Sequence, residues 1–153
     1  MEINDSVVSA YHAGDAQAMI TGQRGRLKHV TAAHSPVHAL HESGQIDEHA
    51  ALTHEDRHLV SNLVGDPEMH IEVGAGIRMA RRDTLVLASD GLFDNFTIEE
   101  ISDRIRIGAI DRVGEGLMRQ TRERMVEPEP GRPSKADDLS FVLYRPSHSK
   151  RSR

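Results

Sequence analysis

The chain has 153 residues, a formal net charge of -5 with histidine neutral, 3% aromatic residues, no tryptophan and no cysteine. This length suits about one domain, the lack of cysteine excludes disulfides, thiolate metal sites and cysteine nucleophiles, and the acidic balance argues against a nucleic-acid partner, which needs a basic face. No apolar run reaches the ~18 residues of a membrane span, and MEINDSVVSAYHAGD has neither a basic start nor an apolar core, so no signal peptide, no membrane partner and a cytoplasmic location are expected.

Residues 6–11 are rich in Val and small side chains and read as a strand, interrupted by Gly14 and Asp15. Residues 16–21 read as a second strand. After a turn at 23–26, residues 27–31 read as a third, giving a short antiparallel meander. Ser35 and Pro36 look like an N-cap and a proline at the first helical position. They would open a short helix over 37–43, stopped by Gly44. Residues 47–64 carry Ala51, Leu52, Leu59, Leu63 and Val64, and a helix ending at Gly65 is expected. Residues 71–79 alternate weakly and suggest an irregular strand.

The run TLVLA at 84–88 predicts a strand buried on both faces. Thr97 and Glu100 have capping-box spacing, and a helix should follow to about residue 107. A second helix is expected over 111–125. Pro128, Pro130, Gly131 and Pro133 then make a loop, and 139–144 the last strand. Strands grouped rather than strictly alternating with helices predict an α+β fold. The expected organisation is one domain over 1–146 and a disordered basic tail, SHSKRSR, over 147–153.

Two acids stand against apolar strands. Asp90 follows the strand at 84–88 and precedes Gly91, which permits a tight turn and close approach of a ligand. Asp137 precedes the strand at 139–144. If those strands adjoin in one sheet, both carboxylates reach one rim, an arrangement suited to Mg²⁺ or Mn²⁺. Asp94 lies four residues beyond Asp90 as a supporting acceptor. The plain alternative is that both acids are turn residues, since Asp is common at strand ends.

SDGLFDN with a capped acidic helix behind it, and later ADDLSFVLY, resemble the C-terminal motifs of the PP2C (PPM-type) serine/threonine phosphatases. Three upstream segments fall in the family's order: residues 11–17, 26–35 and 58–66. The resemblance covers about 6–144. It implies a partial α-β-β-α sandwich of antiparallel sheets flanked by helices. It also implies metal-binding roles for Asp90 and Asp137, and a weaker one for Asp15. The implied activity is hydrolysis of phosphoserine and phosphothreonine by a water activated between two Mn²⁺ or Mg²⁺ ions. The implied partners are a phosphoprotein substrate or a protein of a cognate kinase pathway.

The chain departs from the family pattern in several places. Asp138 stands where Asn is usual, adding charge beside the implied metal. Gln17 stands where Arg is usual, and Ala33 where Asp is usual. The family's front, with an Asp-Gly-x-Gly-Gly motif whose Asp bridges both metals, has no counterpart here. The chain is therefore expected to begin inside the domain. A truncated, inactive remnant or partner-binding module is the alternative, and open sheet edges would invite self-association.

One motif from another class competes. His54-Glu55-Asp56-Arg57-His58 matches H-E-x-x-H. On a helix, His54 and His58 would share a face and could bind Zn²⁺ beside Glu55. Charged Asp56 and Arg57 between them favour a solvated face instead. His34, His38 and His41 could also share a helix side, without an assigned function. Arg122, Glu123 and Arg124 read as a solvated helix face.

Overall fold

The computed structural model describes residues 1–146; the expected tail at 147–153 lies outside the described residues. The elements in chain order are β1 (Glu2–Asn4), β2 (Val7–Ser9), β3 (Tyr11–His12), β4 (Gln17–Thr21), β5 (Leu27–Val30), α1 (Pro36–Glu42), α2 (Glu48–Thr53), β6 (Glu72–Val73), β7 (Ile77–Arg78), β8 (Thr84–Ala88), α3 (Asp90–Phe93), α4 (Ile98–Ile105), α5 (Ile110–Val126) and β9 (Phe141–Tyr144). The α+β expectation holds, with every strand pair antiparallel.

The central sheet has the order β5-β4-β8-β9. Side chains alternate across it with a period of two. Met19, Val86 and Ala88 face one core, filled by Leu92, Phe93, Phe96, Ile101, Ile105 and Leu117 from α3, α4, α5 and the turn after α3. Ala18, Ile20 and Leu85 face a second, smaller core with Val8 and Met79. That second core is covered by the β1-β2-β7 sheet. The α4 start is as expected: Thr97 and Glu100 cap each other's backbone N–H groups. Ser35 caps α1, with Pro36 at its first position.

Several expectations need correction. The strand expected at 6–11 is instead a hairpin and a separate short strand. Asn4 pairs with Val7, so Asp5 and Ser6 form a two-residue loop. Both have positive φ, 46° and 68°, as a type I′ turn requires. Asp-Ser lacks the usual Asn-Gly signal, so β1 was not legible. The expected meander is also broken up. Only β4 and β5 pair with each other, while β2 joins β1 and β7, and β3 joins β6.

The helix expected over 47–64 stops at Thr53. His54 is extended, with φ -65° and ψ 141°. The Arg57 guanidinium donates to the Leu52 carbonyl at 2.7 Å, taking up one of the acceptors that a helix end leaves open. Leu59, Leu63 and Val64 are exposed, so no buried face repays continuing the helix. The strand expected at 71–79 splits into β6 and β7, which join different sheets. Gly74 and Gly76 allow the crossing: a Cβ on Gly76 would lie 2.9 Å from a Val7 methyl. In β8 the outward Leu87 is 38% exposed, because the β1-β2-β7 sheet stops short of it.

Candidate functional site

β8 and β9 are neighbours, with Ala88 opposite Phe141. The acids expected at one rim therefore leave adjacent strands on the same side of the sheet. Three bonds tie the two exits together. Ser89 N donates to Ser140 O at 3.0 Å, Ser140 N to Ser89 Oγ at 3.2 Å, and Ser89 Oγ to Asp138 O at 3.3 Å.

β8 runs directly into the short helix α3, with Asp90 in its first turn. Gly91 follows. A Cβ there would lie 2.2 Å from the Asp138 carbonyl oxygen. The glycine thus admits the chain's own backbone rather than serving a tight turn. Asn95, fully buried, clamps the incoming segment. Its amide donates to Gly91 O and Lys135 O, both at 2.9 Å. Its carbonyl accepts from Lys135 N at 2.9 Å. Neither Asn95 nor Lys135 stood out in the sequence, because their contact spans 40 residues.

The carboxylates converge on one cation. Lys135 Nζ lies 2.8 Å from Asp90 Oδ2, 2.6 Å from Asp94 Oδ2 and 3.3 Å from Asp137 Oδ2. The Lys135 side chain is 16% exposed. Burial by itself lowers its pKa, but hydrogen bonds and charge from Asp90 and Asp94 outweigh that and push it up from the ordinary lysine value. Burial pushes the Asp94 carboxyl up, against the hydrogen bond and charge of Lys135. A backbone N–H from Asp138, together with Lys135, holds Asp137 down. An unpaired trio of acids this close would repel strongly, and the ammonium offsets that.

The remaining expected positions are close by or at the rim. Asp138 supplies backbone: its N–H donates to Asp137 Oδ1 at 2.8 Å and its carbonyl packs over Gly91. Its side chain is not drawn into the cluster. Asp15 precedes β4, in which Gln17 pairs with Ala88. Asp15 thus lies two residues before the β4 end of that pairing, and Asp90 two residues after its β8 end, at the start of α3. Among the described residues, no ion pair links Asp15 to the cluster.

His54, Glu55 and His58 form no zinc site. The helix that would align them ends at Thr53, and each imidazole bonds locally, His54 Nδ1 to Asp56 N and His58 Nδ1 to Glu55 O. Arg57, inside that motif, is instead a clamp. Besides Leu52 O it donates to Ser134 O at 3.0 Å, pinning the segment that carries Lys135. Arg124 corrects the solvated-face expectation. It is 11% exposed, pairs with Glu100 through both terminal nitrogens, and lies 4.0 Å from the centroid of the Phe96 ring.

His34 lies before α1, not on it. It joins His12 and Glu72 in a second group whose donor atoms lie within 4.8 Å of one another. Gly14 N and the Asn62 amide both donate to His34 Nδ1, so Nε2 carries the proton and donates to Glu72 at 3.0 Å. The His12 and His34 rings stack with centroids 4.5 Å apart at 13°, so their in-plane lone pairs lie in two near-parallel, offset planes. This group is a hydrogen-bonded knot joining β3, β6 and the approach to α1.

No family model matches the sequence, and neither does any curated protein. Solved structures do match. Serine/threonine phosphatase Stp1 from Staphylococcus aureus aligns with a TM-score of 0.80 and 26% identity, covering 95% of this chain and 54% of that one. The Mycobacterium tuberculosis serine/threonine phosphatase PstP/Ppp aligns with a TM-score of 0.78 and 20% identity, covering 95% and 57%. The catalytic domain of PstP, solved in complex with two manganese ions, aligns with a TM-score of 0.68 and 20% identity, covering 92% and 54%. The chain spans little more than half the length of each of these structures. Among the described residues, no helix is long and apolar enough to cross a membrane.

Proposed function

We propose, for a chain that has the fold of the C-terminal portion of the PPM-type serine/threonine phosphatases, that Asp90, Asp94 and Asp137 are the carboxylate side of a Mn²⁺ or Mg²⁺ site serving hydrolysis of phosphate monoesters. The observation that carries this reading is the convergence of three carboxylates at one sheet rim. Such all-oxygen donor sets suit hard divalent cations. Asp90, Asp94 and Asp137 would hold the ion, with Asp15 a weaker contributor from the facing strand end. A bound ion supplies Lewis acidity and a water acidified for attack on a phosphoryl group.

The chain's own residues provide the frame. Asn95 and the Ser89–Ser140 pair hold the two strand exits in register. Gly91 lets the Asp138 backbone close over α3. Asp137 remains partly open at the rim, so a phosphoprotein side chain can approach. A phosphoserine or phosphothreonine protein of a kinase pathway, met in the cytoplasm, is the proposed substrate.

One feature favours a second reading, a non-catalytic domain that binds a partner. Lys135 already supplies a cation to the three acids. Self-association through open sheet edges belongs to either reading.

Hydrolysis of p-nitrophenyl phosphate with and without Mn²⁺ separates the two. Metal-stimulated turnover that Asp90→Asn abolishes supports the phosphatase. Turnover that survives Asp90→Asn sinks the site assignment. A folded protein with no turnover supports the non-catalytic reading.

A further inference from the structure

The same three acids that would hold a divalent ion already hold an ammonium, and the two cations compete for the same oxygens. Lys135 Nζ contacts one oxygen from each of Asp90, Asp94 and Asp137, at 2.8, 2.6 and 3.3 Å. One cation satisfies three carboxylates, two from the start and end of α3 and one from the segment before β9. Its position is not left to a flexible stem. Both backbone polar groups of Lys135 are bonded to the buried Asn95 amide, and Ser134 before it is held by Arg57.

Resting on the metal-site reading above, we propose that Lys135 is a tethered internal cation that occupies the carboxylate site and must leave it before Mn²⁺ or Mg²⁺ can bind. An ammonium and a divalent ion cannot share these oxygens, because their charges repel at contact distance. A hard divalent ion wins only when its concentration compensates for the local, tethered ammonium. Occupancy is thus set by the divalent-ion concentration rather than by an always-filled site.

The displaced side chain has room. A cavity of about 300 Å³ adjoins it, lined by Thr53, His54, Glu55, Arg57, His58 and Lys135 itself. Glu55 offers an alternative carboxylate there. The H-E-x-x-H segment, which forms no zinc site, thereby acquires a role as the wall against which the lysine is parked.

Mn²⁺ binding to the full chain, followed by the electron paramagnetic resonance signal of the free ion, tests this. Wild type is expected to bind weakly. Lys135→Met should bind at least about tenfold more tightly, since a repelling unit charge beside the ion is gone. Lys135→Arg keeps the charge and should stay weak. In metal-free buffer Lys135→Met should melt at lower temperature than wild type, and Mn²⁺ should restore it. Failure of Mn²⁺ to restore an unfolded Lys135→Met overturns the proposal. Equal affinity in wild type and Lys135→Met, lost in both on Asp90→Asn, also overturns it but leaves the carboxylate site standing. No Mn²⁺ uptake by wild type or Lys135→Met at about millimolar ion overturns both.

Discussion

Gly91 is where residue-level sterics matter most. Its backbone is helical, so its value lies in the missing side chain. A Cβ would sit 2.2 Å from the Asp138 carbonyl, well inside van der Waals contact, and the obstacle is backbone. Gly91→Ala should therefore displace residues 137–139 and cost about 1–3 kcal/mol, as overpacking does; chemical denaturation measures it. A stability within about 0.5 kcal/mol of wild type would mean that the two segments are not in this contact. Asn95 sits one turn further on, makes two bonds to the facing chain at Lys135 and a third back to Gly91 O. Asn95→Ala leaves buried backbone groups unpaired, at about 1–3 kcal/mol for each such group. It should also weaken Mn²⁺ uptake, because the segment carrying Asp137 is no longer held. Retained affinity would show that Asn95 only stabilises.

The α4 start joins two roles in one side chain. Glu100 caps the Thr97 N–H and pairs with Arg124 of α5, and the two arginines Arg104 and Arg124 lie on the Phe96 ring. Gln can keep a capping box but not the charge. Glu100→Gln should thus isolate the ion pair, at about 1–3 kcal/mol, and Glu100→Ala should lose the cap as well, about a further 1 kcal/mol. Burial raises the Glu100 carboxyl, but Arg124 and the Thr97 N–H more than offset it and hold the pKa below its ordinary 4.5. A depressed acid stabilises the folded state above its unfolded pKa and loses that contribution as pH falls through the folded value. The stability gap between wild type and Glu100→Gln should be constant near neutrality and narrow as pH drops below about 4.5. A gap independent of pH down to acid unfolding would show that the pair adds nothing.

On the scale of the molecule, the central sheet is covered unevenly. Helices fill one face. The β1-β2-β7 sheet covers only part of the other, and Leu87 and its partner across the strands, Val142, stay exposed. The edge strands β5 and β9 each pair on one side only. Apolar side chains beside open edges favour association between chains. Sedimentation velocity should show mass increasing with concentration, and Val142→Lys should shift the protein toward monomer. Monomeric wild type over the whole range would rule this out.

What the sequence alone determined was short-range. The Ser35-Pro36 and Thr97–Glu100 caps, the TLVLA strand and the acids at strand ends are set by the chemistry of neighbouring residues. The placement of Asp90 and Asp137 at one rim followed once two apolar strands were read as sheet partners. The tertiary structure decided what no local pattern encodes. Lys135 meets Asp90 across 45 residues, Asn95 meets Lys135 across 40, and Arg57 meets Ser134 across 77. Each is a polar side chain that reads as surface until the fold brings its partner to it. Burial then makes the bond obligatory, because an unpaired polar group in the interior costs more than the pair yields. The sequence thus marked out the carboxylates, and only the folded chain placed a cation among them.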